Sequence, residues 1–188
     1  MEDNVISLDD LDTLFANFIQ NQLDLDDDQV RISYAQRGQK FPQIDKDTVF
    51  VKVFQEQDEH YVYKQRKRAY DNETKRVISS QTAMRTLLLQ VVFYGYNSDT
   101  LATTLNERFY FDSAKQFLYK NNLALVPDLT DFQDKTYEKI NGQWWERSDL
   151  KLRFYNSVTV DEHVDIIDST DITYNFDGIK IIHDMEGN

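Results

Sequence analysis

The spacing of apolar positions changes several times along the chain. Over residues 8–23, Leu8, Leu11, Leu14, Phe15, Phe18 and Ile19 recur at three- and four-residue steps, which predicts an amphipathic helix. Ser7 with Asp10 three residues on reads as a capping box, and acids in the first turn suit the helix dipole. The run Asp24-Leu25-Asp26-Asp27-Asp28 opposes continuation by like-charge repulsion and poor helix propensity. From Val30 the period becomes two: Val30, Ile32 and Tyr34 alternate with Arg31 and Ser33, as in a half-buried strand. After a loop with Gly38 and Phe41-Pro42, residues 48–55 predict a second strand with Val49, Val51 and Val53 on one face. Residues 61–70 predict a third, polar strand, and 77–96 a long one. The apolar run of 87–94 in the latter reads as a central strand buried on both faces.

Asn97-Ser98-Asp99 reads as the cap of a second helix, with Leu101, Leu105 and Phe109 on one stripe. Asp112 or Ser113 is positioned to cap a third helix that carries Phe117 and Leu118 and ends near Asn121-Asn122. Residues 126–136 read as a polar loop with Pro127. Asn141-Gly142 suits a type I′ turn between 137–140 and a long strand from Gln143 to about Val160. Two short strands are expected at 163–167 and 172–182. There is no internal repeat and no low-complexity linker. The expected fold is therefore a single α+β domain: a mostly antiparallel, twisted β-sheet packed by an N-terminal helix and a central helix pair, with a protruding β-hairpin within 61–90. Residues 1–165 are expected to form this domain and 166–188 an acidic C-terminal extension.

Composition narrows the chemistry. The chain has 188 residues, of which 40% are hydrophobic and 13% aromatic, enough for a real core and too many for a disordered chain. With no cysteine, a disulfide scaffold, thiol catalysis and thiolate metal sites are excluded. The five glycines stand at least nine positions apart, so neither a P-loop nor a dinucleotide fingerprint is present. No stretch approaches the ~18–20 apolar residues of a membrane helix. Met1-Glu2-Asp3-Asn4 is acidic where a secretory signal is basic, so a cytoplasmic setting is expected.

The charge is unevenly placed. Thirty-three acids against 21 bases give a net −12. Residues 1–28 hold nine acids and no Lys or Arg, and residues 161–188 hold eight acids and only Lys180. The segment between has 20 bases against 16 acids. The acidic ends either solubilise the chain or meet a basic face on another copy or partner. Overall acidity argues against tight binding to nucleic acid.

Little resembles an assembled active site. His60, His163 and His183 have no ligand spacing and read as surface histidines. No serine lies in a nucleophile elbow, and Ser98 and Ser113 read as caps. Asp24, Asp26 and Asp28 have the odd spacing of a calcium loop without its glycine and terminal Glu. Glu146 and Asp149 have basic neighbours in Arg147 and Lys151, so ion pairing is expected. Two segments read as interaction surfaces or, more plainly, as ordinary exposed and self-covered positions. In the first, Lys64, Arg66 and Arg68 share one face of a strand, with Lys75 and Arg76 following. In the second, Trp144 and Trp145 precede Arg147; adjacent strand residues point to opposite faces, so one Trp is expected in the core and the other outside.

The run from Asn141 through Trp144-Trp145-Glu146-Arg147 to Arg153-Phe154-Tyr155-Asn156 resembles a signature stretch of a tailed-phage neck/tail terminator family. Phe41-Pro42 before a Val-rich strand, Tyr94-Gly95 before a helix and Val126-Pro127 after it resemble that family in order, so the likeness covers roughly residues 30–160. The resemblance implies a structural virion protein, not an enzyme, with no catalytic, cofactor or metal residues. It implies a ring, usually a hexamer, at the head-proximal end of the tail. That ring would terminate the tail tube and join it to the connector, with DNA passing through the lumen. The implied partners are other copies of itself, the tail tube protein and the head–tail connector proteins, with no membrane. Assembly would take place in the host cytoplasm. Two alternatives stand beside it: a head-side connector or stopper of the same neck, and a small metal-dependent hydrolase using Asp24, Asp26 and Asp28.

Overall fold

A computed structural model describes residues 5–33, 46–56, 64–127, 131–140, 142–165, 169–176 and 179–186. The elements run α1 (Leu8–Leu23), β1 (Val30–Ile32), β2 (Thr48–Gln55), β3 (Lys64–Asp71), β4 (Arg76–Tyr94), α2 (Ser98–Arg108), α3 (Asp112–Lys120), β5 (Leu123–Leu125), β6 (Asp131–Ile140), β7 (Gln143–Asp165), β8 (Ser169–Phe176) and β9 (Ile179–Glu186). Among the described residues, three helices and a seven-stranded, mostly antiparallel open sheet make the fold α+β, as the periodicities predict. Tyr34, Gly38, the Phe41-Pro42 loop, His60 and Asn141 lie outside the described residues.

The sheet is built on two long strands. β4 pairs antiparallel with β7 along its whole length, from Arg76 opposite Asp165 to Tyr94 opposite Arg147. At about 3.3 Å per residue, this 19-residue ladder is roughly 60 Å long. One half is the body. There β2 pairs with residues 87–94 of β4, β1 adds a parallel pairing to β2, and β5 and β6 pair with β7. The other half is an arm of three strands, in which β3 (64–71) pairs with residues 76–83 of β4, backed by the C-terminal part of β7. β8 and β9 pair with each other in a separate two-stranded sheet.

The helices cover one face of the body. Leu87, Leu89, Val91 and Phe93 of β4 and Leu150, Leu152 and Phe154 of β7 are buried beneath Leu11, Phe15, Ile19, Leu105 and Leu118. The aromatic centre is Phe15, whose ring lies 5.0 Å from Phe154 and 6.5 Å from Phe109, while Phe18 stacks on Phe117 at 4.2 Å. The expectation that 87–94 is buried on both faces is corrected. Val92 is buried, but Leu88, Gln90 and Tyr94 on the same face are only half-buried.

Local chemistry sets the ends of α1. The Ser7 hydroxyl accepts the Asp10 N–H (3.1 Å) and donates to the Asp10 carboxylate (2.6 Å), and Asp24 closes the helix in the left-handed region. Its mid-helix Asp12 does something the pattern did not suggest. β1 ends opposite Val51, so among the described residues the next edge amide of β2 has no strand partner. The buried Asp12 carboxylate accepts that Val53 N–H (2.7 Å) and pairs with Lys52 (2.5 Å), fixing α1 to the sheet edge.

Several boundaries differ from the sequence expectation. Asn97 makes no side-chain cap, because its amide donates to Asp47 (2.8 Å). Ser98 is buried inside α2, and α3 starts after Phe111 with Asp112 and Ser113 both within the helix. Residues 131–136 are strand rather than loop. β7 runs to Asp165 and absorbs part of the expected 163–167 strand, and the C-terminal hairpin spans 169–186. Gly95, with φ of +122°, brings the chain so close to Asp47 that an added Cβ would lie 2.9 Å from the Asp47 Cα.

Candidate interaction surfaces

On the arm, the antiparallel register decides which residues share a face. Lys64, Arg66, Arg68 and Tyr70 of β3 stand beside Ala83, Gln81, Ser79 and Val77 of β4, which in turn stand beside Val158, Val160, Glu162 and Val164 of β7. These β4 and β7 positions continue the alternation that faces the helices in the body; Ser79 among them is buried, and Val77, Gln81, Ala83 and Val158 are half-buried. Lys64, Arg66 and Arg68 are exposed, and so are Tyr70 (51%), Val160 (45%) and Val164 (42%). The face thus mixes valines with Ser79, Gln81 and the exposed Glu162 along the centre, and carries a basic row on the edge strand.

The neighbouring bases, Lys75 and Arg76 of the prediction among them, do not join that row. Lys67 is on the opposite face. Lys75 occupies the turn with φ of +52°, and Arg76, also opposite, pairs with Asp165 at 2.8 Å. The turn is held by Asp71, whose carboxylate accepts the Thr74 hydroxyl (2.6 Å) and the Glu73 N–H (3.0 Å). These bonds hold the Asp71 carboxyl below its ordinary range.

At the opposite end of the ladder, the two tryptophans divide as the alternation predicts. Trp145 is 5% exposed and Trp144 is 66% exposed. Trp145 packs edge-on against Tyr94, which packs edge-on against Phe50. Arg147 is committed internally: it grips Asp149 through two bonds (2.7 and 2.8 Å) and Glu138 through a third (2.8 Å). Tyr94 donates to the same Glu138 oxygen (2.7 Å). Arg147 and then Tyr94 hold the Glu138 carboxyl below its usual value. Burial, helped by Glu138, pushes the Tyr94 phenol up to about 12. Asp149 first, then Glu138, raise Arg147 further. Glu146 pairs with Lys135 (2.6 Å) rather than with Arg147, and this raises Lys135. Each of these shifts moves a pKa further from 7.

Trp144 shares its face with Tyr137 (63% exposed), and the Lys139 ammonium lies 5.9 Å from its ring. Tyr96, Phe111 and Tyr119 are also exposed. The sequence reading did not single out these four aromatics, because none falls on a regular apolar stripe. The acidic run is used locally: Asp24 ends α1 and Asp28 pairs with Lys46 (3.0 Å). Among the described residues, no group of three His, Asp or Glu side chains is placed to hold a metal ion, and no helix is long and apolar enough to cross a membrane.

No curated protein matches the chain significantly. A family model described as phage neck terminator protein matches residues 9–179, from the first turn of α1 to the start of β9. The match extends beyond the 30–160 stretch that carried the resemblance and takes in the arm, the tryptophan pair and the first strand of the C-terminal hairpin. The chain therefore belongs to the phage neck terminator family and is a structural protein of the bacteriophage neck.

Proposed function

We propose that copies of this chain close into a ring at the head-proximal end of the tail, ending the tail tube and joining it to the head-side connector without covalent chemistry. The observation that carries this reading is the basic row of Lys64, Arg66 and Arg68 on an arm outside the helix-covered body, in a chain whose first 28 residues hold nine acids and no Lys or Arg. A ring built head to tail needs two different, complementary patches on each copy, and the arm and an acidic end supply them. Trp144 supplies an aromatic anchor of the kind enriched at binding hot spots. Six copies are the number the family resemblance implies. A net charge of −12 suits a channel that DNA passes without adhering. In this reading residues 1–165 form the ring-building domain, 166–188 form an extension from it, and assembly takes place in the host cytoplasm.

The test is a chain carrying K64E, R66E and R68E together, assayed for assembled mass in solution and for incorporation into phage particles. The three side chains are exposed, so folding is expected to be unchanged while assembly is lost. Wild-type assembly that is insensitive to added salt, together with normal assembly of the variant, would remove the arm from the mechanism. Co-purification with tail tube rather than portal-side proteins separates a terminator from a stopper.

A further inference from the structure

We propose that the two outer edges of the arm pair with each other between copies: β3 of one copy adds in parallel to residues 157–165 of β7 on the next, so that the arms join into one sheet. This inference rests on the ring reading and names the contact that would close it. The arm is three strands wide, in the order β3, β4, β7, and among the described residues neither outer edge meets a further strand. β3 pairs with β4 alone, and β5 reaches β7 only as far as Asn156, so residues 157–165 have β4 on one side. A strand edge is a row of N–H and C=O groups that can template a strand from another chain. β3 has eight residues, and residues 157–165 offer it a partner of matching length.

Charge decides which edges can meet. β3 carries Lys64, Arg66, Lys67 and Arg68 against Asp71, whereas residues 157–165 carry Asp161, Glu162 and Asp165 and no Lys or Arg. Two β3 edges would set bases against bases and two β7 edges acids against acids; the mixed pairing brings opposite charges together. Symmetry then fixes the register. β3 and β7 are both antiparallel to β4, so they run the same way. Rotation about an axis along the arm keeps each residue's height and the side of the sheet it is on. Within one copy Arg68, Ser79 and Glu162 share a level, as do Tyr70, Val77 and Val164. Arg68 of one copy therefore comes level with Glu162 of its neighbour, on the same face, and both are exposed. On the opposite face Lys67 comes level with Asp161. Tyr70 comes level with Val164, an aromatic–β-branched pair that covers apolar surface exposed in a single copy. Asp71 comes level with Asp165, whose charge Arg76 of its own copy offsets at 2.8 Å. The occupant is a second copy because the arm supplies both halves of the contact. The two halves differ, so the contact repeats around a ring.

The native chain contains no cysteine, which makes cross-linking clean. A full-length chain carrying R68C and E162C is oxidised in solution and in phage particles, then run without reductant. Within one copy these positions flank β4, two strand spacings or roughly 10 Å apart, beyond the ~7 Å that a disulfide spans. Between paired copies they lie about 5 Å apart. The expected product is a series of covalent multimers that is lost on reduction, while R68C alone and E162C alone stay monomeric. A charge exchange tests the same contact without thiols. R68E and E162R chains should each assemble more weakly than the wild type, and an equimolar mixture should recover, because every copy in an alternating ring then meets an opposite charge on both sides. Dimers from either single-cysteine chain, an intrachain disulfide in the double variant, or a mixture that assembles no better than its components overturns the inference. If wild-type chains form a multimer in solution or in particles while both tests fail, only this edge contact falls. If the wild-type chain forms no multimer in either setting, the ring reading falls with it.

Discussion

Replacing Asp12 with Ala tests whether one buried carboxylate holds the N-terminal helix to the sheet. The side chain is 1% exposed and has two partners, the Val53 N–H at 2.7 Å and the Lys52 ammonium at 2.5 Å. Its removal strands a buried backbone donor, at about 1–3 kcal/mol. Breaking a fully buried ion pair costs about 3–5 kcal/mol, but Lys52 retains 22% exposure and can turn to water, so its share falls below that range. The combined expectation is about 3 kcal/mol, which for a chain of this size lowers Tm by roughly 6–12 °C. D12N keeps an acceptor for Val53 and loses the charge, so it should cost about half as much. Urea unfolding should show a lower midpoint at unchanged slope, because neither variant alters the surface exposed on unfolding. A cycle with K52M isolates the ion-pair contribution. If D12A lies within about 0.5 kcal/mol of the wild type, or D12N is worse than D12A, the reasoning about the sheet edge is wrong.

W145A should cost about 3–5 kcal/mol in urea unfolding, because it empties a packed site between Tyr94 and the sheet. W144A should stay within about 0.5 kcal/mol of the wild type and show its effect only in particle incorporation; equal destabilisation by the two would contradict the assigned faces. Alkaline stability follows from Tyr94. The folded phenol is pushed up to about 12 from an ordinary value of 10, so between these pH values the folded state keeps a proton that the unfolded state releases, and stability falls as pH rises. Two pH units correspond to ~2.7 kcal/mol at full effect, and half-burial reduces this to about 1 kcal/mol. Unfolding of Y94F at pH 9 and pH 11 should lack that component, and an identical pH dependence in the two chains would refute the assignment.

Where several local signals agreed, the sequence carried the fold. The limits of α1 and β2 were legible because capping, charge and period pointed the same way. Tertiary partners overrode local chemistry elsewhere. Asn97 is a good cap residue in isolation, but Asp47 takes its amide, and the strand over 131–136 was hidden because a polar edge strand has no apolar alternation to read. The tryptophan division was legible because it needs only the two-residue period. The basic arm was legible in part: Lys64, Arg66 and Arg68 share a face by that same period, whereas Lys75 falls in a left-handed turn and Arg76 on the far side. Asp12 had a signal that went unused. It lies on the stripe of Leu8, Leu11, Phe15 and Ile19, and an acid on an apolar stripe needs a buried partner.

The two long strands give one small chain both a helix-covered body and an arm that extends from it. The core cluster ends at Leu87 and Phe154, and beyond these residues the same strands continue, among the described residues, without contributing to it. At the junction Arg85, 8% exposed, donates to the Asn156 side chain (2.8 Å) and to the Ile6 carbonyl (2.7 Å), tying the root of the arm to the start of α1. Asn156 donates in turn to the Asn122 carbonyl, which ties the same point to the end of the helix pair. The arm therefore takes its orientation from the body, while its outward residues contribute little to the body's stability. Exposed substitutions there typically move stability by no more than about 0.5 kcal/mol, so a loss of assembly in arm variants reports on contact between copies rather than on folding. In the ring we propose, a spine shared by core and arm would convert the packing of one copy into a fixed angle toward the next, and a closed ring needs that angle to be the same in every copy.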